Sequence, residues 1–403
     1  MATSDAWVAS PAPPGLPERG GLVVVIPMPP SYRGGTEEYA YQVVRHCADE
    51  IPVHVVTTTV RWKDGADVLA IGSASLERLA AREFLERPLL VGPRARAELK
   101  RVIARAGVVQ LHMPFPWVER RVTRWARDSR IPSVLTYHMD AEFGADPARW
   151  TSRMVMGSYR GISARPALTN CSVVVSNSMG YARASPVLSK FLPKVRVIYQ
   201  GIDADRLRPA PGESGGAIPA RRDGVARVVF IGRLVSYKGL PDLVRAIDQL
   251  RRSGRAVELL IGGKGPMRES LDRLVGDLGM TDIVRFLGFV PDSAVGALYS
   301  SADVVACPST SLLESTPITL QEAMAFGTPV VGSTLPCTEE SIPDDGVRGR
   351  LVAPHDVPAL ATALAQLIDA GRPTVPGAAR SWKDTAHDYV RLFEEVRRSP
   401  PAG

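Results

Sequence analysis

Val228-Val-Phe-Ile-Gly232-Arg233-Leu-Val-Ser-Tyr-Lys238-Gly239-Leu-Pro241 opens the second half of the 403-residue chain. Val228–Gly232 is continuously apolar, the pattern of a strand buried on both faces of a parallel sheet. Pro241 suits the first turn of a helix over Pro241–Arg252, where its missing N–H costs nothing. Strand, short polar loop and helix make one β-α unit, and the unit recurs on both sides. Downstream, the pattern predicts strands at Glu258–Ile261, Val284–Leu287, Val304–Cys307 and Val330–Gly332. Helices are predicted at Met267–Leu278, Val295–Ser300, Pro317–Phe326, Val357–Ile368 and Thr385–Arg398. Upstream, strands are predicted at Leu22–Ile26, Val53–Thr58, Val108–His112, Ser133–Tyr137, Val173–Ser176 and Val195–Ile198, with a helix from Thr36 to Ala48. This is the rhythm of two doubly wound α/β domains. The rhythm breaks at 209–224, where Pro211, Gly212, Gly215, Gly216 and Pro219 read as a linker. The domains are therefore placed at 21–208 and 225–380, with a proline-rich tail at 1–20 and a C-terminal helix at 381–398 expected to pack back on the N-terminal domain.

Length and an apolar share of 45% allow two sizeable cores. The charge of +7 and pI of about 9.4 favour anionic partners such as nucleotide phosphates or an acidic membrane surface. Zinc-finger spacing and an RNA-recognition signature are missing, so nucleic acid is not expected. Cys47, Cys171, Cys307 and Cys337 form no CxxC pair and read as buried, reduced thiols. The first 20 residues lack the apolar core of a signal peptide, and no apolar run approaches the ~20 residues that span a bilayer. A cytoplasmic protein is expected, with peripheral contact to the inner face of the membrane left open.

In open parallel sheets ligands bind beyond the carboxyl ends of the strands, and three loops there carry unusual residues. Ser31-Tyr-Arg-Gly34-Gly35-Thr36 joins the first strand to its helix, where paired glycines permit close backbone approach to an anion or simply make a tight turn. Arg233 and Lys238 share the loop after Val228–Gly232; they form a clamp for a diphosphate or are two solvated surface charges. In Glu314-Ser-Thr316-Pro317-Ile318-Thr-Leu-Gln-Glu322, Thr316 is read as the helix cap, Pro317 as the first helical residue and Gly327 as the C-terminal cap. Glu314 then lies on the loop and Glu322 in the helix. Either carboxylate can accept two hydroxyl hydrogen bonds from a ribose or a sugar, or is an ordinary surface charge.

Taken in order, these segments resemble glycosyltransferase family 4. Glu314 and Glu322 match the E-x7-E signature of retaining enzymes with the GT-B fold. Gly232-Arg233-Leu-x-x-x-Lys238-Gly239, Glu322-Ala-Met-Ala-x-Gly327-x-Pro329-Val-Val, Val197-Ile-Tyr-Gln-Gly-Ile-Asp203, Ile261-Gly-Gly-Lys264-Gly265-Pro and Phe286-Leu-Gly-Phe-Val290 match further family segments. The resemblance spans roughly residues 22–395 and is looser in the N-terminal half. It implies two Rossmann-like domains facing a central cleft and transfer of a hexose-type sugar from a nucleotide-diphosphate sugar, UDP-linked before GDP-linked. It implies donor contacts from Gly35, Arg233, Lys238, Val290, Glu314, Thr316, Pro317, Ile318 and Glu322, with Arg233 and Lys238 on the diphosphate and Glu322 on the ribose. It places Glu314 near the donor sugar and His138, in Tyr137-His138-Met-Asp140, beside the reacting centre. His138 also admits a structural reading, and His112 is read as structural.

Two departures stand out. Thr316-Pro317 replaces the Phe-Gly of many members, removing a backbone N–H, and Lys264 replaces a residue that is often acidic. The resemblance further implies retention and no metal, with Arg233, Lys238 and the helix start at Pro317 stabilising the leaving diphosphate. The acceptor is a hydroxyl of a glycan, a lipid-linked intermediate or a natural product. Residues 117–127 form a basic amphipathic stretch, Arg120, Arg124 and Arg127 on one face and Val118, Val122 and Trp125 on another. It docks on anionic lipid or packs as a surface helix. A nucleotide-sugar epimerase or hydrolase on the same frame, and a catalytically silent binding protein, are the rival readings.

Overall fold

A computed structural model describes residues 20–27, 35–59, 73–84, 87–90, 92–140, 150–208, 218–373 and 379–398. The tails at 1–19 and 399–403, loop residues 31–34 and linker residues 209–217 lie outside them. The strands and helices in chain order are β1 (Leu22–Val25), α1 (Gly35–Cys47), β2 (Val53–Thr58), β3 (Ser75–Leu79), β4 (Ala81–Phe84), β5 (Arg87–Leu90), α2 (Gly92–Ile103), β6 (Val108–Met113), α3 (Glu119–Asp128), β7 (Ser133–Tyr137), α4 (Trp150–Tyr159), α5 (Arg165–Asn170), β8 (Val173–Ser176), α6 (Met179–Ala184) and β9 (Val195–Val197). There follow β10 (Ala226–Ile231), α7 (Leu240–Arg252), β11 (Val257–Gly262), α8 (Arg268–Asp277), β12 (Val284–Gly288), α9 (Asp292–Ser301), β13 (Val304–Cys307), α10 (Ile318–Ala325), β14 (Val330–Ser333), α11 (Pro336–Ser341), β15 (Gly349–Val352), α12 (Val357–Ala370) and α13 (Trp382–Arg398). They form two compact units: Met1–Asn177 with Ala182–Gln200 and Trp382–Gly403, and Ser178–Tyr181 with Gly201–Ser381.

In the first unit a parallel sheet runs β3-β2-β1-β6-β7-β8-β9. Successive β1 residues point to opposite faces. Leu22 and Val24 pack into one core with α1 and α13, while Val23 and Val25 pack into another with α2 and α3. Burial on both faces is why the strand reads as an unbroken apolar run. α13 belongs to this unit: Trp382, Tyr389, Phe393 and Val396 are buried there. A chain of buried hydroxyls fixes it, Tyr389 OH lying 3.0 Å from Tyr39 OH and 3.1 Å from Thr136 Oγ1.

Of the two readings of 117–127, the structure fits the helix packed on its own unit. Val118, Val122 and Ala126 are buried in the core of the unit, so this apolar stripe is not free to enter a bilayer. Arg120, Arg124 and Arg127 remain exposed, tied to Ile162 O, Asp128 and Asn170. No helix among the described residues is long and apolar enough to cross a membrane.

In the second unit the order is β12-β11-β10-β13-β14-β15, again parallel, with one apolar core. Arg227 and Glu258 form a fully buried pair at 2.7 Å between β10 and β11. The edge strands β3 and β15 were not predicted. Both carry charge, Glu77 and Arg78 in one and Arg350 in the other, because an edge strand is only partly covered.

Glu119, at the start of α3, is fully buried, and neither carboxyl oxygen has a hydrogen-bond partner among the described residues. Burial pushes its pKa from 4.5 up to about 8, an increase that the nearby Tyr159 and Ser163 hydroxyls only partly offset. Below its ordinary value the group is neutral in folded and unfolded chains alike. Between 4.5 and about 8 only the unfolded chain releases the proton, so stability falls as pH rises through that window and stays lowered above it. Glu119→Gln is expected to flatten this slope and leave the protein more stable than wild type at pH 9, measured by urea unfolding from pH 4.5 to 9.

Candidate active site

The strand orders reverse between β10 and β13, and the crevice at such a switch point is where open α/β sheets bind ligands. The loop after β10 carries Arg233 and Lys238, and the segment after β13 carries Glu314. Backbone contact locks these loops together. Gly239 sits in the left-handed region, and a Cβ on it would lie 1.9 Å from Pro308 O. Thr310 N–H donates to Tyr237 O at 2.7 Å. No side chain fits where the two loops touch, so glycine is required.

Lys238 Nζ donates to Glu314 Oε2, and Ser309 Oγ donates to the same oxygen at 2.7 Å. The side chains keep only 12% and 8% of their exposure. Burial opposes the Lys238 charge, yet Cys307 and Glu314 hold its pKa above the ordinary lysine value. The Cys307 thiol, 3.9 Å away, is itself pushed up by burial and neutral at pH 7, so the carboxylate is what keeps the ammonium charged. Cys337 Sγ donates to the Glu314 carbonyl at 2.8 Å. Lys238 and Glu314 thus form a neutral, oriented pair, and with a second ammonium hydrogen on Cys307 Sγ one is left for a ligand. Arg233 differs: it is exposed and its side chain has no hydrogen-bond or ion-pair partner among the described residues.

Glu322 lies half-buried in α10 and accepts from Tyr299 OH at 2.9 Å. The capping prediction needs correction. Pro317 is the N-cap of α10, no side chain caps the helix, and Thr316 Oγ1 is buried without a hydrogen-bond partner among the described residues. Pro317 has no N–H, while Ile318 N–H donates to Thr316 O at 2.9 Å and Leu320 N–H to Pro317 O at 3.1 Å. The first turn therefore offers an anion fewer amides than an ordinary helix start. Val290, after β12, covers Gly262: a Cβ there would come within 2.8 Å of its Cγ2.

Two predicted residues belong to the first unit. Gly35 begins α1, exposed, with no atom within 4 Å of where a Cβ would stand. His138 follows β7 and is 6% exposed; its Nε2 lies 3.0 Å from His112 Nδ1, with the rings stacked at 5.2 Å and Tyr39 edge-on at 4.9 Å. Burial lowers the His138 pKa to about 3 and holds His112 well below the usual value, so both imidazoles are neutral at pH 7. His138 can act there as a hydrogen-bonding group, not as a cation. Ser309, Cys337 and Tyr299 went unseen in sequence. Ser309 had a signal, since a small polar residue just past a buried strand lies on the ligand edge.

A family model described as Glycosyltransferase Family 4 matches residues 33–206, and one described as Glycosyl transferases group 1 matches residues 217–386. A D-inositol 3-phosphate glycosyltransferase of Corynebacterium kroppenstedtii is 33% identical over 71% of this chain and 67% of its own. A GDP-mannose-dependent alpha-(1-6)-phosphatidylinositol monomannoside mannosyltransferase of Mycobacterium tuberculosis is 29% identical over 90% and 92%. Across such curated relatives the shared stretch runs from 52% to 92% of the relative's length. The Anabaena protein HepE, solved with UDP and glucose, superposes with a TM-score of 0.66 at 18% identity, over 93% of this chain and 99% of that one. That likeness is one of fold.

The ion pair gives a direct test. Glu314→Ala leaves a buried ammonium uncompensated and is expected to cost about 3–5 kcal/mol. Lys238→Met combined with Glu314→Gln should recover most of that in urea unfolding, because no unpaired charge remains.

Proposed function

The chain belongs to glycosyltransferase family 4, and from that premise we propose that it moves a hexose-type sugar from a UDP- or GDP-sugar to an acceptor hydroxyl, with retention at the anomeric carbon. The observation that carries this reading is the buried Lys238–Glu314 pair beside the exposed Arg233, on loops at the switch point of the second sheet. The ammonium hydrogen left free by Glu314 and Cys307 and the Arg233 guanidinium bind the donor diphosphate and stabilise its charge as the sugar–oxygen bond breaks. Glu314 lies beside the donor sugar, and Glu322, aligned by Tyr299, accepts from the ribose hydroxyls. The neutral His138 supplies a hydrogen bond to the sugar. In a front-face reaction the leaving phosphate takes the acceptor proton, so no side chain need serve as base.

UDP and GDP both stand as donors to test: one relative is named for GDP-mannose, and HepE was solved with UDP. Relatives named for inositol-bearing substrates make a sugar or polyol hydroxyl the first acceptor class to try. Because cations of the chain meet the diphosphate charge, turnover is expected to persist in EDTA. A thermal-shift screen against UDP-, GDP-, ADP- and dTDP-sugars should show stabilisation by one nucleotide class, as a ligand bound only by the folded state raises apparent stability. Lys238→Ala should lose that shift; an undiminished shift would refute the clamp.

A further inference from the structure

We propose that Lys264 is a third phosphate-binding cation of the donor site, held level with Arg233 by the β10–β11 ladder; this rests on the donor reading above and adds to it a residue that sets affinity. The parallel register pairs Ala226 with Val257 and continues to Ile231 with Gly262. The rungs do not stop where the strands end. Gly232 N–H donates to Gly262 O at 3.0 Å, and Leu234 N–H donates to Lys264 O at 3.0 Å. The second rung carries the same register on to Arg233 opposite Lys264. Neighbouring strands lie about 4.8 Å apart, so the two cations stand side by side beyond the carboxyl ends of β10 and β11.

The backbone makes this placement rigid. Gly263 has φ +131°, and a Cβ on it would lie 1.8 Å from Gly232 O. The loops touch at the residue between the two rungs, and only glycine admits that contact. Like charges set opposite each other on neighbouring strands destabilise a sheet. Arg268, at the start of α8, shows how a cation of this unit is matched when it is held: by Asp272 at 2.8 Å and by the face of Phe286 at 4.0 Å. Arg233 and Lys264 are both exposed, and neither has an ion-pair partner among the described residues.

Charge balance points the same way. A nucleotide-diphosphate sugar carries two negative charges on its phosphates. Lys238 is neutralised by Glu314, so Arg233 alone leaves the site one positive charge short. Lys264 supplies it. Its position one strand beyond Arg233 and beside the Val290-covered Gly262 keeps it among the loops of the donor site.

Binding of UDP and GDP would be measured by calorimetry for wild type, Lys264→Met, Lys264→Arg and Arg233→Met over a series of NaCl concentrations. Melting without nucleotide should be unchanged in the Lys264 variants, since the side chain is exposed. Lys264→Met is expected to weaken the bound nucleotide about tenfold, the usual worth of one charge-assisted hydrogen bond, and to lessen the salt dependence of Kd. Lys264→Arg should retain both. Unchanged affinity and salt dependence in Lys264→Met, with binding lost in Arg233→Met, would overturn the role of Lys264 and leave the donor reading standing. Failure of wild type to bind either nucleotide would overturn the donor reading and this inference with it.

Discussion

The buried ion pair between Lys238 and Glu314 is the constraint on which the second unit's site depends. A lysine taken out of water keeps its charge only beside a compensating group. The fold must therefore hold two loops, after β10 and after β13, in contact at fixed distance. It does so through backbone, with Gly239 against Pro308 and Thr310 bonded to Tyr237, and through Ser309 and Cys337, which orient the carboxylate and its carbonyl. The outcome is a pre-set hydrogen-bond donor without net charge. The exposed cations Arg233 and Lys264 on the neighbouring loops carry no such compensation among the described residues.

The first unit solves a different problem. Burial against His112 and Tyr39 keeps His138 a neutral hydrogen-bonding group. Tyr39 is in turn fixed by Tyr389, which α13 brings from the far end of the chain. A residue near position 390 thus helps to orient the surroundings of a residue near 140. Both ends of the chain build this unit, and α13 is as much part of its core as α1.

The central strands could be read from sequence because sheets covered on both faces leave unbroken apolar runs, as in Leu22–Val25 and Val228–Ile231. β3 and β15 could not, because Glu77 with Arg78 and Arg350 break up their short apolar runs, whereas the edge strands β9 and β12 keep apolar residues on both sides of a single arginine and stay legible. Arg233, Lys238, Glu314 and Glu322 were picked out by spacing and by their place after strands. Residues 117–127 admitted two readings for a physical reason: a basic amphipathic helix gives the same pattern whether its apolar stripe meets lipid or its own core, and α3 buries that stripe in the protein. Thr316 misled in a similar way, since capping ability is a property of the residue while the cap is a property of the backbone, and Pro317 took the position.

By itself, then, the sequence determined two parallel α/β sheets, the loops that carry chemistry and the cations and carboxylates on them, because burial pattern and turn chemistry are local. Only the tertiary structure decided which of those charges are spent on each other. Lys238 and Glu314 are 76 residues apart in the chain, and Arg233 and Lys264 are level only through the rungs between two strands. Pairing and net charge depend on distances across the fold, which a linear pattern does not contain.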